Sequence, residues 1–129
     1  MYVTDTHAFV WFLTKDQRLG EKAREIFLQA DEGETQVVVP TIVLMETLHI
    51  CEKHRAGLKF REVLSKVRGA LNYPIYPLDI KVVTECQELP KELDLHDRVI
   101  VSTAKLLNAK ILTKDEDIVD YEVVGTIWD

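Results

Sequence analysis

Four acidic residues in this chain share one feature, which is that each stands against an apolar segment. Asp5 follows "YVT", Glu46 lies inside "VLMETLHI", Asp97 precedes "RVIVSTA", and Asp115 comes shortly after "ILT". A carboxylate that loses its hydration against apolar groups costs several kcal/mol unless a positive charge meets it. The Thr41–Ile50 segment around Glu46 has no Lys or Arg. Its partner must therefore come from elsewhere in the chain or be a bound cation.

Each acid taken singly also has a simpler explanation. Asp5 and Asp97 could be helix N-caps, a common use of Asp. Asp115 could begin a turn, and Glu46 could lie on an exposed helix face. Taken as a set, the acids favour a different interpretation. Two carboxylates ~5 Å apart repel by about 3 kcal/mol at an effective dielectric near 20, so converging acids favour a divalent cation.

The donor types indicate which cation this would be. Mg²⁺ and Mn²⁺ prefer carboxylate oxygens and keep several waters, and the chain lacks the Cys-rich or His-rich spacing of a zinc site. One such ion lowers the pKa of an attacking water, and a second can hold the leaving oxygen. The four acids therefore predict phosphodiester hydrolysis with one or two Mg²⁺ or Mn²⁺ ions and no nucleophilic side chain.

Short apolar strands separated by helices would position these acids. The predicted strands are "MYVT", "TQVVVP", "YPIYPL", "KILT" and "YEVVGTIW". Helices are predicted over "THAFVWFLT", around Ala23–Ala30, after Pro40 with Thr41 as cap, over Phe60–Leu71, after Asp79, and from near Asp97. This alternation predicts an α/β fold, a three-layer α/β/α sandwich with a mainly parallel central sheet. Asp5 and Asp115 would lie at carboxyl ends of strands, where such folds bind ligands.

Length and composition agree with one domain over residues 1–129. No apolar run reaches the ~18 residues of a membrane helix, and the start "MYVTDTHAFVWFLTKD" has no basic leader. We therefore expect no membrane association and a cytoplasmic location. Cys51 and Cys86 lack a C-x-x-C spacing and are expected to be core thiols.

The charge distribution bears on an RNA partner. The net charge of −6 disfavours phosphate binding unless the acids are clustered around metal. One segment, "EKHRAGLKFREVLSKVR", carries six basic residues against two acidic ones. Within it, Lys53, Arg55, Lys59 and Arg61 are candidate contacts to an RNA backbone. The alternative is an ordinary solvated helix face.

Four segments carry a family resemblance, and their order covers essentially the whole chain. They are "VTDTHAFVWFL", "METLHI", "LHDRVIVSTA" and "ILTKDEDI". Together they resemble the PIN-domain ribonucleases of the VapC toxin family, from type II toxin–antitoxin pairs. One departure is Met45, where many members with a similar start carry an aromatic residue before the second acid.

The resemblance implies a PIN-like α/β/α fold and a Mg²⁺- or Mn²⁺-dependent endoribonuclease. It places the catalytic and metal-binding acids on Asp5, Glu46, Asp97 and Asp115. Thr113 matches a supporting hydroxyl, and Asp117 is an additional acid beside the last one. The implied partners are an RNA substrate, a cognate antitoxin and a second copy of the chain in a homodimer.

Other functions remain open at this point. A PIN nuclease could act in housekeeping RNA processing or decay, or a silent PIN domain could only bind RNA, although the presence of all four acids argues against silence. A haloacid dehalogenase-type phosphohydrolase would need an Asp where His7 stands, and a receiver domain would need a Lys-Pro that the chain lacks.

Overall fold

The computed structural model describes residues 1–53 and 57–129, and within them five short strands form one sheet. The strands are β1 (Tyr2–Thr4), β2 (Val37–Pro40), β3 (Ile75–Tyr76), β4 (Lys110–Leu112) and β5 (Thr126–Ile127). They lie in the order β3-β2-β1-β4-β5, and every neighbouring pair is parallel. β2 is buried throughout, and β1 and β4 are buried except at their first residues, Tyr2 and Lys110, as apolar runs in a parallel sheet predict.

The strand order places a switch point beside β1. From β1 the chain builds outward through β2 to β3, then returns to the other side of β1 to form β4 and β5. Val3 in the central strand pairs with Val38 on one side and Ile111 on the other. The crevice at the carboxyl ends of β1 and β4 is therefore where an open α/β sheet binds its ligand.

Seven helices accompany the strands in the described part of the chain. They are α1 (Thr6–Leu13), α2 (Glu21–Asp31), α3 (Thr41–Glu52), α4 (Phe60–Val67), α5 (Ile80–Gln87), α6 (Leu95–Leu107) and α7 (Glu116–Tyr121). Right-handed crossovers put α1 to α4 on one face and α5 to α7 on the other. The three-layer α/β/α sandwich expected from the sequence is thus confirmed.

The core fills both layers around the sheet. Phe9 and Phe27 are fully buried on one side, and Phe27 stacks on Phe12 with ring centroids 4.5 Å apart. Val101 and Ala104 of α6 are fully buried, and this helix packs on the sheet. This packing fixes the starts of α1 and α6, which both lie beside the switch point.

Some boundaries differ from the sequence-based expectation. Pro40 precedes α3 as its N-cap, while Thr41 is the first helical residue, and its hydroxyl oxygen accepts a hydrogen bond from the Leu78 backbone N–H at 3.1 Å. Thr41 therefore anchors the segment before α5 instead of capping its own helix. α4 ends at Val67, so Leu71, which is 86% exposed, lies outside it. Among the helices described, none is both long and apolar enough to cross a membrane.

Candidate active site

Asp5 sits at the end of β1 and is both a helix cap and a member of an acidic cluster. One carboxylate oxygen accepts a hydrogen bond from the Ala8 backbone N–H at 2.9 Å, which caps α1. The other accepts a hydrogen bond from the Thr113 hydroxyl. Burial raises the pKa of Asp5, and the bonds from Thr113 and Ala8 act in the opposite direction. The hydrogen bonds thus favour the carboxylate form that burial disfavours.

Thr113 joins the ends of the two central strands. While its hydroxyl donates to Asp5, the same oxygen accepts from the Asp115 backbone N–H at 3.0 Å. Asp115 is in turn the N-cap of α7 and accepts from the Asp117 backbone N–H at 2.9 Å. This chain of bonds fixes Asp115 next to Asp5.

Asp97 is not the helix cap that the sequence allowed it to be. The N-cap of α6 is Asp94, whose carboxylate accepts from the Asp97 backbone N–H at 2.9 Å. Asp97 therefore lies in the first turn with its side chain free to face other acids. Burial, followed by the charges of Asp115, Asp94, Asp117 and Asp5, raises the pKa of Asp97 to about 7.

Glu46 is half-buried on α3 and has polar partners from two other helices. One of its carboxylate oxygens accepts from the Thr6 hydroxyl at 2.5 Å, and the other lies 3.0 Å from Nδ1 of His96. Its neighbour Met45 is 62% exposed, while Thr47 is fully buried. The acid therefore marks the boundary between the buried and exposed faces of α3, and it points towards the cluster.

The four predicted acids line one cavity of about 240 Å³ at the switch point. Carboxylate oxygens of Asp97, Asp115 and Asp117 also lie within 4.8 Å of one another. Within the described residues, no Lys or Arg lines this cavity. The carboxylate oxygens of this lining, whose negative charge no lining Lys or Arg balances, fit a hard divalent cation such as Mg²⁺ or Mn²⁺.

Four further polar residues at the cavity had no role in the sequence-based site. They are Thr6, His7, Asp94 and His96. The spacing of Asp94 three residues before Asp97 is that of an N-cap and a third helical residue, so this signal was readable. The contacts of Thr6 and His96 with Glu46 join residues that are distant in sequence, and no local pattern marks them.

The basic segment lies apart from the cavity lining. Lys53 is the C-cap of α3, Lys59 is the N-cap of α4, and Arg61 is the second residue of α4. All three are exposed, and none lines the acidic cavity. Arg55 lies outside the described residues.

Sequence comparison places the chain in a family. The profile of the PIN domain matches residues 2–124. The chain belongs to the PIN domain family. Among curated proteins, no sequence matches it significantly.

Solved structures share this PIN fold at low sequence identity. The chain is similar to a chain of VapBC2 from Rickettsia felis bound to a DNA fragment from their promoter, at 19% identity and a TM-score of 0.74, over 99% of this chain and 98% of that one. A toxin–antitoxin complex from Klebsiella pneumoniae gives 21% identity and a TM-score of 0.67, over 98% and 96%. The structure of FitAB bound to the IR36 DNA fragment gives 18% identity and a TM-score of 0.61, over 98% of this chain and 94% of that one. These likenesses establish a common fold.

The raised pKa of Asp97 predicts how the stability of the metal-free PIN domain depends on pH. The folded state holds this proton more tightly than the unfolded chain, whose Asp titrates near 3.8. The resulting stabilisation is fully present below about pH 4 and is lost as the pH rises through 7. Between pH 5 and pH 8, the free energy of unfolding of the wild type should fall by about 1–2 kcal/mol relative to that of Asp97→Asn, after allowance for solvent screening.

Thermal or urea denaturation in EDTA at several pH values measures this difference. Glu116→Gln, which removes a neighbouring exposed acid, is the matched control and should follow the wild type. Parallel curves for wild type and Asp97→Asn would contradict the prediction.

Proposed function

We propose that this PIN domain, as a single domain over residues 1–129, is a metal-dependent endoribonuclease that hydrolyses RNA phosphodiester bonds. The observation that carries the proposal is the convergence of Asp5, Glu46, Asp97 and Asp115 on one cavity. They come from the start of α1, from α3, from α6 and from the start of α7. Acids from four elements meeting at the switch point are better explained by a shared ligand than by four separate caps.

Asp5, Glu46, Asp97 and Asp115 would hold one or two Mg²⁺ or Mn²⁺ ions, with Asp117 as an additional oxygen donor. When bound, such ions lower the pKa of a water and offset the charge of the phosphate. We propose that the RNA phosphate enters the cavity beside these acids.

The chain's own residues keep the carboxylates in place. Thr113 holds one oxygen of Asp5 while Ala8 holds the other. Thr6 and His96 both contact Glu46 and restrict its rotation. The N-termini of α1 and α6 add positive partial charge at the same place. These contacts restrict the carboxylates to few conformations before substrate binds, which lowers the entropy that is lost when the site and substrate come together.

We further propose that the protein is the toxin of a VapBC-type pair acting in the cytoplasm. The structures similar to this chain include two described as VapBC2 and as a toxin–antitoxin complex. By analogy, the partner would be an antitoxin that covers the acidic cavity.

A homodimer is supported by an exposed apolar surface on α5 and the segment before it. Ile80 is 76% exposed and Val83, one turn later, is 50% exposed, with Leu78 beside them at 43%. Exposed apolar residues in such a group mark an association surface more often than a single exposed side chain does. We propose that a second copy of the chain packs there.

The nuclease proposal predicts that metal binding and RNA cleavage fail together in Glu46→Gln. The substitution keeps the shape of the side chain but removes its charge, so Mn²⁺ affinity should fall at least about tenfold and cleavage of single-stranded RNA by about 10²-fold. Calorimetry measures the Mn²⁺ affinity, and a gel assay measures the cleavage of RNA. Glu52→Gln, an exposed acid at the end of the same helix, should leave both unchanged. A wild type that binds no Mn²⁺ would overturn the proposal.

The toxin proposal predicts that expression of the wild type arrests growth and that Asp5→Asn relieves the arrest. Asn is as good an N-cap as Asp and can keep the bond from Ala8, so the variant should fold, although it loses the charge and the oxygen that accepts from Thr113. Growth curves test this, with circular dichroism of the purified variant as the check on folding. A wild type that cuts RNA in solution yet leaves growth unaffected would favour a housekeeping nuclease.

The dimer proposal predicts that Ile80→Glu converts a dimer to a monomer, because a carboxylate cannot be buried there without a partner. Sedimentation equilibrium measures the mass. Val119→Glu, at an exposed apolar position on α7, is the control and should stay dimeric. A monomeric wild type would refute the surface assignment.

A further inference from the structure

Two cationic side chains lie over the indole of Trp11. The guanidinium carbon of Arg18 lies 4.6 Å from the ring centroid, and Nζ of Lys114 lies 4.9 Å from it. The ring of His7, one helical turn before Trp11, lies 5.5 Å away. Cations at this distance are attracted by the negative face of an aromatic ring, so the indole fixes where both charges lie.

Trp11 is itself held in place. It is only 7% exposed and packs edge-to-face on Trp128, with ring centroids 5.9 Å apart. Trp128 can approach because Gly20 has no side chain, and a Cβ at Gly20 would collide with the Trp128 carbonyl. The Trp11 indole is therefore held by close packing against Trp128, and the two cations lie over a rigid ring.

The two cations differ in how far their charge is balanced. Arg18 donates to the Asp16 carboxylate from Nη2 at 2.7 Å and from Nε at 3.1 Å. Lys114 is exposed, and the ion pairs found among the described residues do not include it. Lys114 is therefore the cation with more charge to offer to a ligand.

Trp11 and Arg18 line a second cavity that adjoins the acidic one, and Lys114 lies over the same indole outside that lining. The second cavity has a volume of about 430 Å³, and Thr14 and Asp16 also line it. His7 and Ile50 line both cavities. A cavity of this size can hold one nucleotide. A strand with one phosphate at the acids would place its neighbouring nucleotide over His7.

We infer that the surface around Trp11 binds the phosphate of the nucleotide next to the cleaved bond, with Lys114 as the main contact and Arg18, in the lining of the adjoining cavity, as the second. The inference rests on the proposed ribonuclease function. An RNA strand fits better than a protein segment because Lys114 directly precedes Asp115 of the acidic cavity and the lining of the adjoining cavity is largely polar. The exposed ring of His7 offers a stacking surface to the base. Lys114 and Arg18 are thus specificity and positioning residues for the substrate strand.

The test is the salt dependence of RNA binding in the full-length protein. The probe is fluorescein-labelled oligouridylate, followed by anisotropy with Ca²⁺ in place of Mn²⁺ to prevent cleavage. Lys114→Gln should weaken binding about fivefold at low salt and reduce the slope of log affinity against log salt by about 0.7, the value for one phosphate on a single strand. Arg18→Gln should have a smaller effect because Asp16 already balances Arg18. Lys110→Gln, an exposed lysine at the opposite end of β4, should match the wild type.

Mn²⁺ calorimetry on the same variants separates the subsite from the metal site. Lys114→Gln removes a positive charge beside Asp115, so Mn²⁺ affinity should be unchanged or higher while RNA affinity falls. Reduced Mn²⁺ affinity would assign the RNA effect to the metal site and overturn the inference.

The remaining outcomes distinguish the inference from the proposed function. If the wild type cuts RNA but Lys114→Gln keeps the wild-type slope, the subsite is wrong and the nuclease stands. If the variant keeps that slope but loses binding to a polyglutamate peptide, the cavity takes an acidic protein segment and the RNA assignment is wrong. A wild type that binds RNA without cutting it would refute the nuclease, while the slope would still decide the subsite. A wild type that neither binds nor cuts RNA would refute both.

Discussion

The repulsion among carboxylates at the ends of β1 and β4 is the constraint on which the rest of this structure depends. Burial raises the pKa of Asp97, and the charges of Asp115, Asp94, Asp117 and Asp5 raise it further, to about 7. A fold that gathers acids in this way must hold them against their own repulsion. It does so with hydrogen bonds from Thr113, Thr6 and backbone N–H groups, and with the dense packing of α1 and α6 on the sheet.

Several residues do two things at once, and this explains how so short a chain builds the site. Asp5 caps α1 with one oxygen and presents the other to Thr113. Asp115 begins α7 and lines the cavity. The cap and site interpretations of these acids are therefore compatible, because a helix N-terminus directed at the cavity supplies a position and a favourable field for a carboxylate. Only Asp97 leaves the capping role to a neighbour, Asp94.

The sequence predicted the features that depend on local pattern. The buried strands, the main helices and the α/β/α sandwich followed from apolar runs and periodicity, and the convergence of Asp5 with Asp115 followed from parallel strand ends. It offered Asp97 as the cap of α6, whereas the cap is Asp94, three positions earlier. It also missed α7, whose six residues are too few for a clear periodic signal. The position of Lys114 over Trp11 depends on a contact between residues far apart in the chain, which no local pattern encodes.

The bond between Thr113 and Asp5 joins residues 108 positions apart in the chain, and this separation sets an order of events during synthesis. A nascent polypeptide that has emerged only as far as α6 already contains Asp5, Glu46 and Asp97, but it lacks the strand that places Thr113 and Asp115 beside them. The cluster closes only when β4 inserts next to β1. Translation products that are truncated before β4 therefore carry an incomplete site.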